Sequence, residues 1–585
     1  MKNNVNRRTL NSTFGISTLV APFLISLFVF WYLRYPGHLL LIEERSYFDG
    51  SGEFFLPFLT RPGGLSAYLG AFVSQFYRWQ VVGALLQSLF MLLIWSAIRS
   101  FGLQIRKNGL PVISTTIVLL LGILQTSTQW QLTDTFQMLF FVTALRAAFY
   151  VNRTRASRWY GLFLMPLWIL LFPPIILLLF LFALYGIRRM QGGDSALVHA
   201  VLSIVLALIL LRGCQLFLFP FPNSSYVAVM SEAGTNNILK FLLPVYLVFP
   251  IATFVRSYLP ERNLSLRLNL ILFVLLPLIT FTTWRTYFDE SAVEDCLRMG
   301  QAANKGEWNE ILRLASNHPV QSQEMLFFTN LACANQGILP EKLFDNPQNN
   351  SQAFKLDDKA QPIRMVWAAE LYKSLGVYNA AMQMYYEANT GAPQGVNFRN
   401  LRALISLYIR KGEFVLARKY IKILSRSTLH DSWVKTKIQE IRKLEAAWDS
   451  EFENQNSKGD FFFGARPFLS DLARLLDRDG NNTVARDYLL CTLLLNKDLD
   501  RFFSVLEMIG WKQQQMPRVY EEAVLMAIQM GNQRVMSRNY PIRPQTRNHF
   551  NEFLKMKMVS QNQGIASKQL FDRFKNTLWY HCQFN

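Results

Sequence analysis

Residues 371–393 read LYKSLGVYNAAMQMYYEANTGAP, and residues 407–424 read LYIRKGEFVLARKYIKIL. Set one above the other, Tyr372, Gly376, Tyr378 and Ala381 recur as Tyr408, Gly412, Phe414 and Ala417, each 36 positions further on. Four matches at one offset predict a repeated unit. The residue types describe it: an aromatic on a first helix, a Gly that turns the chain, and an Ala where two helices touch. A hairpin of this size cannot bury its apolar face alone, so neighbouring units are expected to stack into a solenoid. Weaker units centre on Gly306 and Trp308 in NKGEWNEIL and on Gly337 in NLACANQGIL, with further helical pairs expected around Gly480 and Gly531.

These offsets, closed by Pro393, are similar to those of tetratricopeptide repeats. Working outward, the composition changes before residue 287. The chain is 51% hydrophobic and 17% charged, below the roughly 25% charged residues of soluble domains. Residues 285–585 hold 39 Lys and Arg against 32 Asp and Glu, so most of the net charge of +20 belongs to the first half.

That first half is built of apolar runs. The stretch FGISTLVAPFLISLFVFWYL, residues 14–33, has about the 20 residues a helix needs to cross a bilayer. It follows Lys2, Arg7 and Arg8 and exceeds the length of a signal-peptide core, which predicts an uncleaved first span with its N-terminus in the cytoplasm. Later runs fall at 81–98, 111–126, 136–151, 160–187, 197–212, 238–255 and 268–286. Basic clusters such as Arg99/Arg106/Lys107 and Arg153/Arg155/Arg158 separate them. They fit one alternation if 160–187 is a hairpin broken at Pro173-Pro174, with two halves of about 13 residues.

The expected fold class is therefore all-α, a polytopic transmembrane helical bundle over residues 1–286 followed by an α-helical tetratricopeptide-like solenoid over 287–585. The expected location is a bacterial cytoplasmic membrane, with loop 34–80 and the C-terminal half outside the cytoplasm. The positive-inside pattern accounts for the basic residues, so nucleic acid is not the expected partner; the bilayer and a protein held by the repeats are. The five Cys show no metal-ligand spacing, and no GxSxG, HExxH or P-loop motif occurs.

The stretches RPGGLSAYLGAFVSQFY (61–77), NLACANQGILPEKLF (330–344) and WAAELYKSLGVYNAAMQMYYEA (367–388) carry a resemblance that runs nearly full length. They resemble an uncharacterised family of bacterial multi-span membrane proteins with a repeat-containing tail, which implies architecture and no activity. The layout is also similar to GT-C-type glycosyltransferases, which use polyprenyl-linked sugars. These too start inside, place acids on the loop after the first span, use short paired helices and often end in an external domain. The chain departs from them in having Glu43-Glu44 where an Asp-containing pair is usual, and in its repeat tail.

The acids in question lie in LIEERSYFDGSGEFF, residues 41–55. In a transferase, Glu43, Glu44 or Asp49 would take the proton of the attacking hydroxyl, while another acid holds a divalent metal or the acceptor. Asp134, on the second external loop, is a second candidate carboxylate. Arg61 is placed to meet a donor phosphate, and Arg146, a charge well inside an apolar run, points to function by its position. Each has a plainer reading: a solvated loop for the first acids, a turn for 61–64, a helix cap for Asp134 and snorkelling for Arg146. Two functions stay open, a transferase for a polyprenyl-phosphate sugar and a membrane-anchored scaffold or assembly factor acting through its repeats.

Overall fold

A computed structural model of the chain describes residues 21–105, 111–151, 159–191, 195–217, 237–258, 291–318, 321–348, 350–356, 361–392, 394–447, 467–510, 515–563 and 567–584, with single positions at 275, 278 and 282. Among these residues all regular structure is helical. The chain divides into two compact units. The first is Met1–Glu294 together with an eight-residue segment from far downstream, Ser425–Ser432; the second is Asp295–Leu424 with Trp433–Asn585.

In the first unit α1 (Ala21–Arg34) bends by 79° into α2 (Pro36–Glu44). Pro36 lacks the N–H that would continue α1 and occupies a favoured first position of α2. Then come α3 (Gly52–Leu59), α4 (Gly64–Ser74), a 3₁₀ turn at Gln75–Arg78, α5 (Gln80–Ile105), α6 (Pro111–Gln125) and α7 (Leu132–Val151). They are followed by α8 (Tyr160–Phe163), α9 (Met165–Leu171), α10 (Pro174–Met190), α11 (Ala196–Phe217) and α12 (Asn237–Tyr258). Met138, Phe141, Leu145, Phe172, Phe180 and Tyr246 form the centre of the apolar core. Phe141 contributes edge-on ring contacts to Phe172, Phe180 and Tyr246.

Two described helices, Gln80–Ile105 and Ala196–Leu216, are long and apolar enough to cross a membrane, and the bent pair α1–α2 makes a third if taken as one span. The apolar run expected at 268–286 lies outside the described residues except for positions 275, 278 and 282, and so does the basic N-terminal flank.

The run 160–187 does break at Pro173-Pro174, but not into equal halves: four- and seven-residue helices precede the break and a 17-residue helix follows it. A second proline, Pro166, starts α9 and cuts the first half again. The stretch 61–64 is anchored. The Gly63 N–H donates to Ile169 O at 2.8 Å with Gly63 at φ +71°, and Ser66 Oγ donates to Leu171 O at 2.8 Å.

Helices α10 and α12 pack closely at Gly186, where a Cβ would lie 2.7 Å from Thr253 Cβ and 2.9 Å from its carbonyl carbon. Gly186→Ala is therefore expected to lower stability by about 1–3 kcal/mol through overpacking. Gly213 on α11 has nothing within 4 Å of an added Cβ. Gly213→Ala should be neutral or stabilising by up to about 1 kcal/mol, since Ala favours helix. Thermal unfolding of the two variants in one detergent checks the pair.

The second unit takes up α13 (Ser291–Lys305) from its fifth residue and continues with α14 (Trp308–Ser316), α15 (Gln323–Asn335) and α16 (Leu339–Lys342). Next are α17 (Pro362–Ser374), α18 (Tyr378–Thr390), α19 (Phe398–Lys411), α20 (Phe414–Leu424) and α21 (Asp431–Ala447). The rest is α22 (Phe468–Arg478), α23 (Thr483–Leu495), α24 (Leu499–Met508), α25 (Arg518–Gln529), α26 (Gln533–Met536), α27 (Pro544–Gln563), α28 (Ser567–Phe574) and α29 (Leu578–Phe584).

Helices α17 with α18, α18 with α19, and α19 with α20 pack in sequence. Gly376 and Gly412 turn the α17–α18 and α19–α20 hairpins at φ +75° and +78°, a backbone region that a side chain disfavours. Ala381 and Ala417 are fully buried at the matching positions. The Tyr385 hydroxyl donates to buried Glu370 Oε1 at 3.0 Å and ties α18 to α17. Gly480 has no left-handed conformation, whereas Lys497, at φ 60°, turns α23 into α24.

Candidate functional site

The loop after α2 belongs to the first unit, and so does the segment 425–432 that meets it. Helix α2 is fixed at its start by Glu294, whose buried carboxylate accepts the N–H of Gly37 at 2.6 Å and of His38 at 3.0 Å. A carboxylate is favoured there, where a helix leaves N–H groups unpaired and its dipole is positive. At the other end the sign reverses. Glu43 and Glu44 occupy the last turn of α2, where an acid is disfavoured, and both are buried. Such a carboxylate requires a donor or cation from elsewhere in the chain.

His430 supplies it. Its Nε2 lies 3.2 Å from Glu43 Oε1, and its Nδ1 lies 3.1 Å from Ser427 Oγ. The tautomer with its proton on Nε2 donates to Glu43 and leaves Nδ1 to accept the Ser427 hydroxyl. Ser427, His430 and Glu43 are all fully buried. The trio has the composition of a nucleophile relay, yet a substrate carbonyl has no approach to a serine enclosed in this way. What the arrangement does is bind a distant segment to the loop.

The surrounding contacts act in the same sense. Arg78 Nη1 donates to Leu429 O at 2.9 Å. Arg45, the residue after α2, donates to Thr128 O and, at 3.0 Å, to Trp130 O, joining this loop to the one before α7. Burial lowers the Arg45 guanidinium to about 10, still cationic at neutral pH. Asp49 is buried and accepts the Ser51 N–H at 2.8 Å, an Asx turn that sets up Ser51 as the cap of α3. Arg426 Nη1 stands 3.5 Å from both Asp49 Oδ2 and Glu53 Oε2. The Tyr47 phenol is pushed up to about 12, by burial first and then by the Asp49 charge, with Arg426 opposing.

The structure thus brings Glu43, Asp49 and Glu53 to one partner segment and buries Glu44 beside them. The remaining candidates sit elsewhere. Asp134 is in the first turn of α7, where Oδ2 accepts the Gln131 N–H at 3.2 Å, the role of a helix cap. Arg61 lies over the Phe58 ring at 4.3 Å. Arg146 is exposed on α7. Among the described residues no group of three His, Cys, Asp or Glu side chains converges as metal ligands would.

Sequence reasoning did not single out His430, Arg426 or Glu294. The signal available for the first two was an interruption: LSRSTLHDSW, residues 424–433, separates two helical runs with a buried type of residue, His, in a turn. Also unforeseen is a chain of buried amides and a phenol between α5, α6 and the 3₁₀ turn. In it the Tyr77 hydroxyl donates to Gln87 Oε1 at 2.7 Å, and Gln87 Nε2 donates to Gln125 Oε1 at 2.8 Å.

The model of a family described as "Family of unknown function (DUF6057)" matches residues 11–585. No curated protein and no solved structure matches the chain.

Proposed function

The chain belongs to that family of unknown function, and from this premise we propose that it is a multi-span protein of a bacterial cytoplasmic membrane that works as an assembly scaffold. In this reading the apolar helices of the first unit anchor it and tetratricopeptide-like hairpins in the second hold a protein partner. The observation that carries the proposal is the use of the loop acids. Glu43 is spent on His430 in a fully buried pair, and Asp49 on an Asx turn, so neither carboxylate faces a substrate. Hairpins with buried Ala381 and Ala417 support the repeat reading, and arrays of this kind present extended surfaces to partners.

The second reading is a transferase for a polyprenyl-phosphate sugar at the outer face. It draws on Glu53, whose side chain is 84% exposed beside the half-exposed Arg426, an accessible carboxylate and guanidinium 3.5 Å apart. Glycan profiling of a deletion strain and of a strain carrying Glu53→Gln separates the two. The scaffold reading expects unchanged surface glycans in both, and loss of a discrete co-purifying protein complex in the deletion. A glycan lost in the deletion and equally in Glu53→Gln would overturn it in favour of the transferase.

A further inference from the structure

The net positive charge of residues 285–585 is concentrated in one place. Residues 398–447 carry 12 Lys and Arg against four Asp and Glu, whereas the rest of 285–585 carries 27 against 28. Within this stretch the excess is sorted onto two helix faces. On α20 the exposed positions Val415, Arg418, Lys419 and Lys422 follow helical spacing, and on α21 the exposed positions Lys435, Arg442 and Lys443 do the same. Arg418 is bound to Glu445 through both guanidinium nitrogens, which holds α20 to α21. Among the described residues, Lys419, Lys435, Arg442 and Lys443 stand exposed with no acidic side chain in ion-pair range.

We infer that the exposed face of α20 and α21 binds anionic phospholipid headgroups. Lysines and arginines next to an exposed Val415 suit a bilayer surface, where phosphates meet the cations and the apolar side chain enters the headgroup boundary. Chain continuity favours a bilayer over a soluble polyanion. Leu424, the last residue of α20, is followed directly by segment 425–432, which belongs to the unit that holds the apolar helices, and α21 begins inside that segment. Trp433, on the first turn of α21 with Lys437 Nζ 5.6 Å from its ring centroid, is a residue type that anchors at membrane interfaces. The inference rests on the membrane reading given above.

Each Lys or Arg held near an anionic bilayer strengthens the contact about fivefold, and salt screens it over about 10 Å at 0.1 M. The test uses the full chain in nanodiscs of phosphatidylcholine, with or without phosphatidylglycerol, and follows amide hydrogen exchange of residues 414–447. Exchange is expected to slow several-fold in the phosphatidylglycerol discs, to recover in high salt, and to lose the difference in the triple variant Lys419→Glu, Lys435→Glu, Lys443→Glu. Unchanged exchange of residues 361–392 in that variant shows that the fold is kept. Equal exchange in both discs overturns the inference, as does protection that appears only when soluble polyphosphate is added. Carbonate extraction distinguishes the underlying reading. A chain that leaves the membrane in carbonate refutes the membrane assignment itself; for a chain that stays, the nanodisc result bears on the α20–α21 face alone.

Discussion

Glu43→Ala is expected to destabilise the full chain by about 1–3 kcal/mol, because it strips the acceptor from a fully buried histidine. The thermal midpoint in detergent should fall clearly, and protease should cut the loop 41–55 and the segment 425–432 sooner than in the parent. Glu43→Gln should fall between, since the amide oxygen can still accept from His430 Nε2. The neighbouring acids give the scale. Asp49 and Glu53 face Arg426 at 3.5 Å, with Arg426 half exposed and Glu53 largely so, which makes those pairs worth no more than about 1 kcal/mol. Glu53→Ala should leave the midpoint nearly unchanged. A loop of merely solvated carboxylates would show three equally mild variants.

A second large effect is expected from pH, through Glu522 in the second unit. Its side chain is buried on α25, where Oε2 accepts the Leu578 N–H at 2.7 Å and Arg518 Nε lies 3.6 Å from Oε1. Burial raises this carboxyl from its ordinary 4.5 to about 8, against the opposing pull of the Leu578 N–H and Arg518. The folded chain keeps the proton up to about pH 8, while the unfolded chain releases it near 4.5. The group therefore favours folding most at acid pH, and its contribution falls as pH rises through that window, by roughly 3–5 kcal/mol in all. Glu522→Gln, which mimics the protonated form, should flatten the decline. Denaturant unfolding of the full chain and of this variant at several pH values across the window checks it; parallel slopes would show that Glu522 does not carry the effect.

Local signals in the sequence transferred well to the structure because their causes are local. Gly376 and Gly412 were legible as turns since only glycine takes φ near +75° without strain, and Pro173-Pro174 was legible as a break since both residues lack a donor. Pro166 acts by the same rule, and its effect, a further cut in the first half, was hidden inside an apolar run that hydropathy alone treats as continuous. The helical pair expected around Gly480 is present as α22 and α23, although Gly480 itself is not left-handed; the next turn, α23 into α24, is made at Lys497, and a lysine gives no such signal.

The site was less legible for a different reason. Composition placed Glu43, Glu44 and Asp49 together on one loop, but the partner that Glu43 meets is a histidine 387 positions away. No spacing rule reaches that far. An acid in the last turn of a helix is a misplaced charge by the dipole rule, and that misplacement was the one clue in the sequence that Glu43 needed a partner.

The measurement that bears most directly on this account is a double-mutant cycle on Glu43 and His430, using Glu43→Ala, His430→Ala and the pair together in the full chain. Two buried groups that satisfy each other should couple by at least about 1.5 kcal/mol, with the double variant little worse than the poorer single one. Effects that simply add, to within about 0.5 kcal/mol, would mean that the two side chains do not depend on each other. Glu43 would then not be held by His430, and the scaffold reading would lose the observation on which it rests.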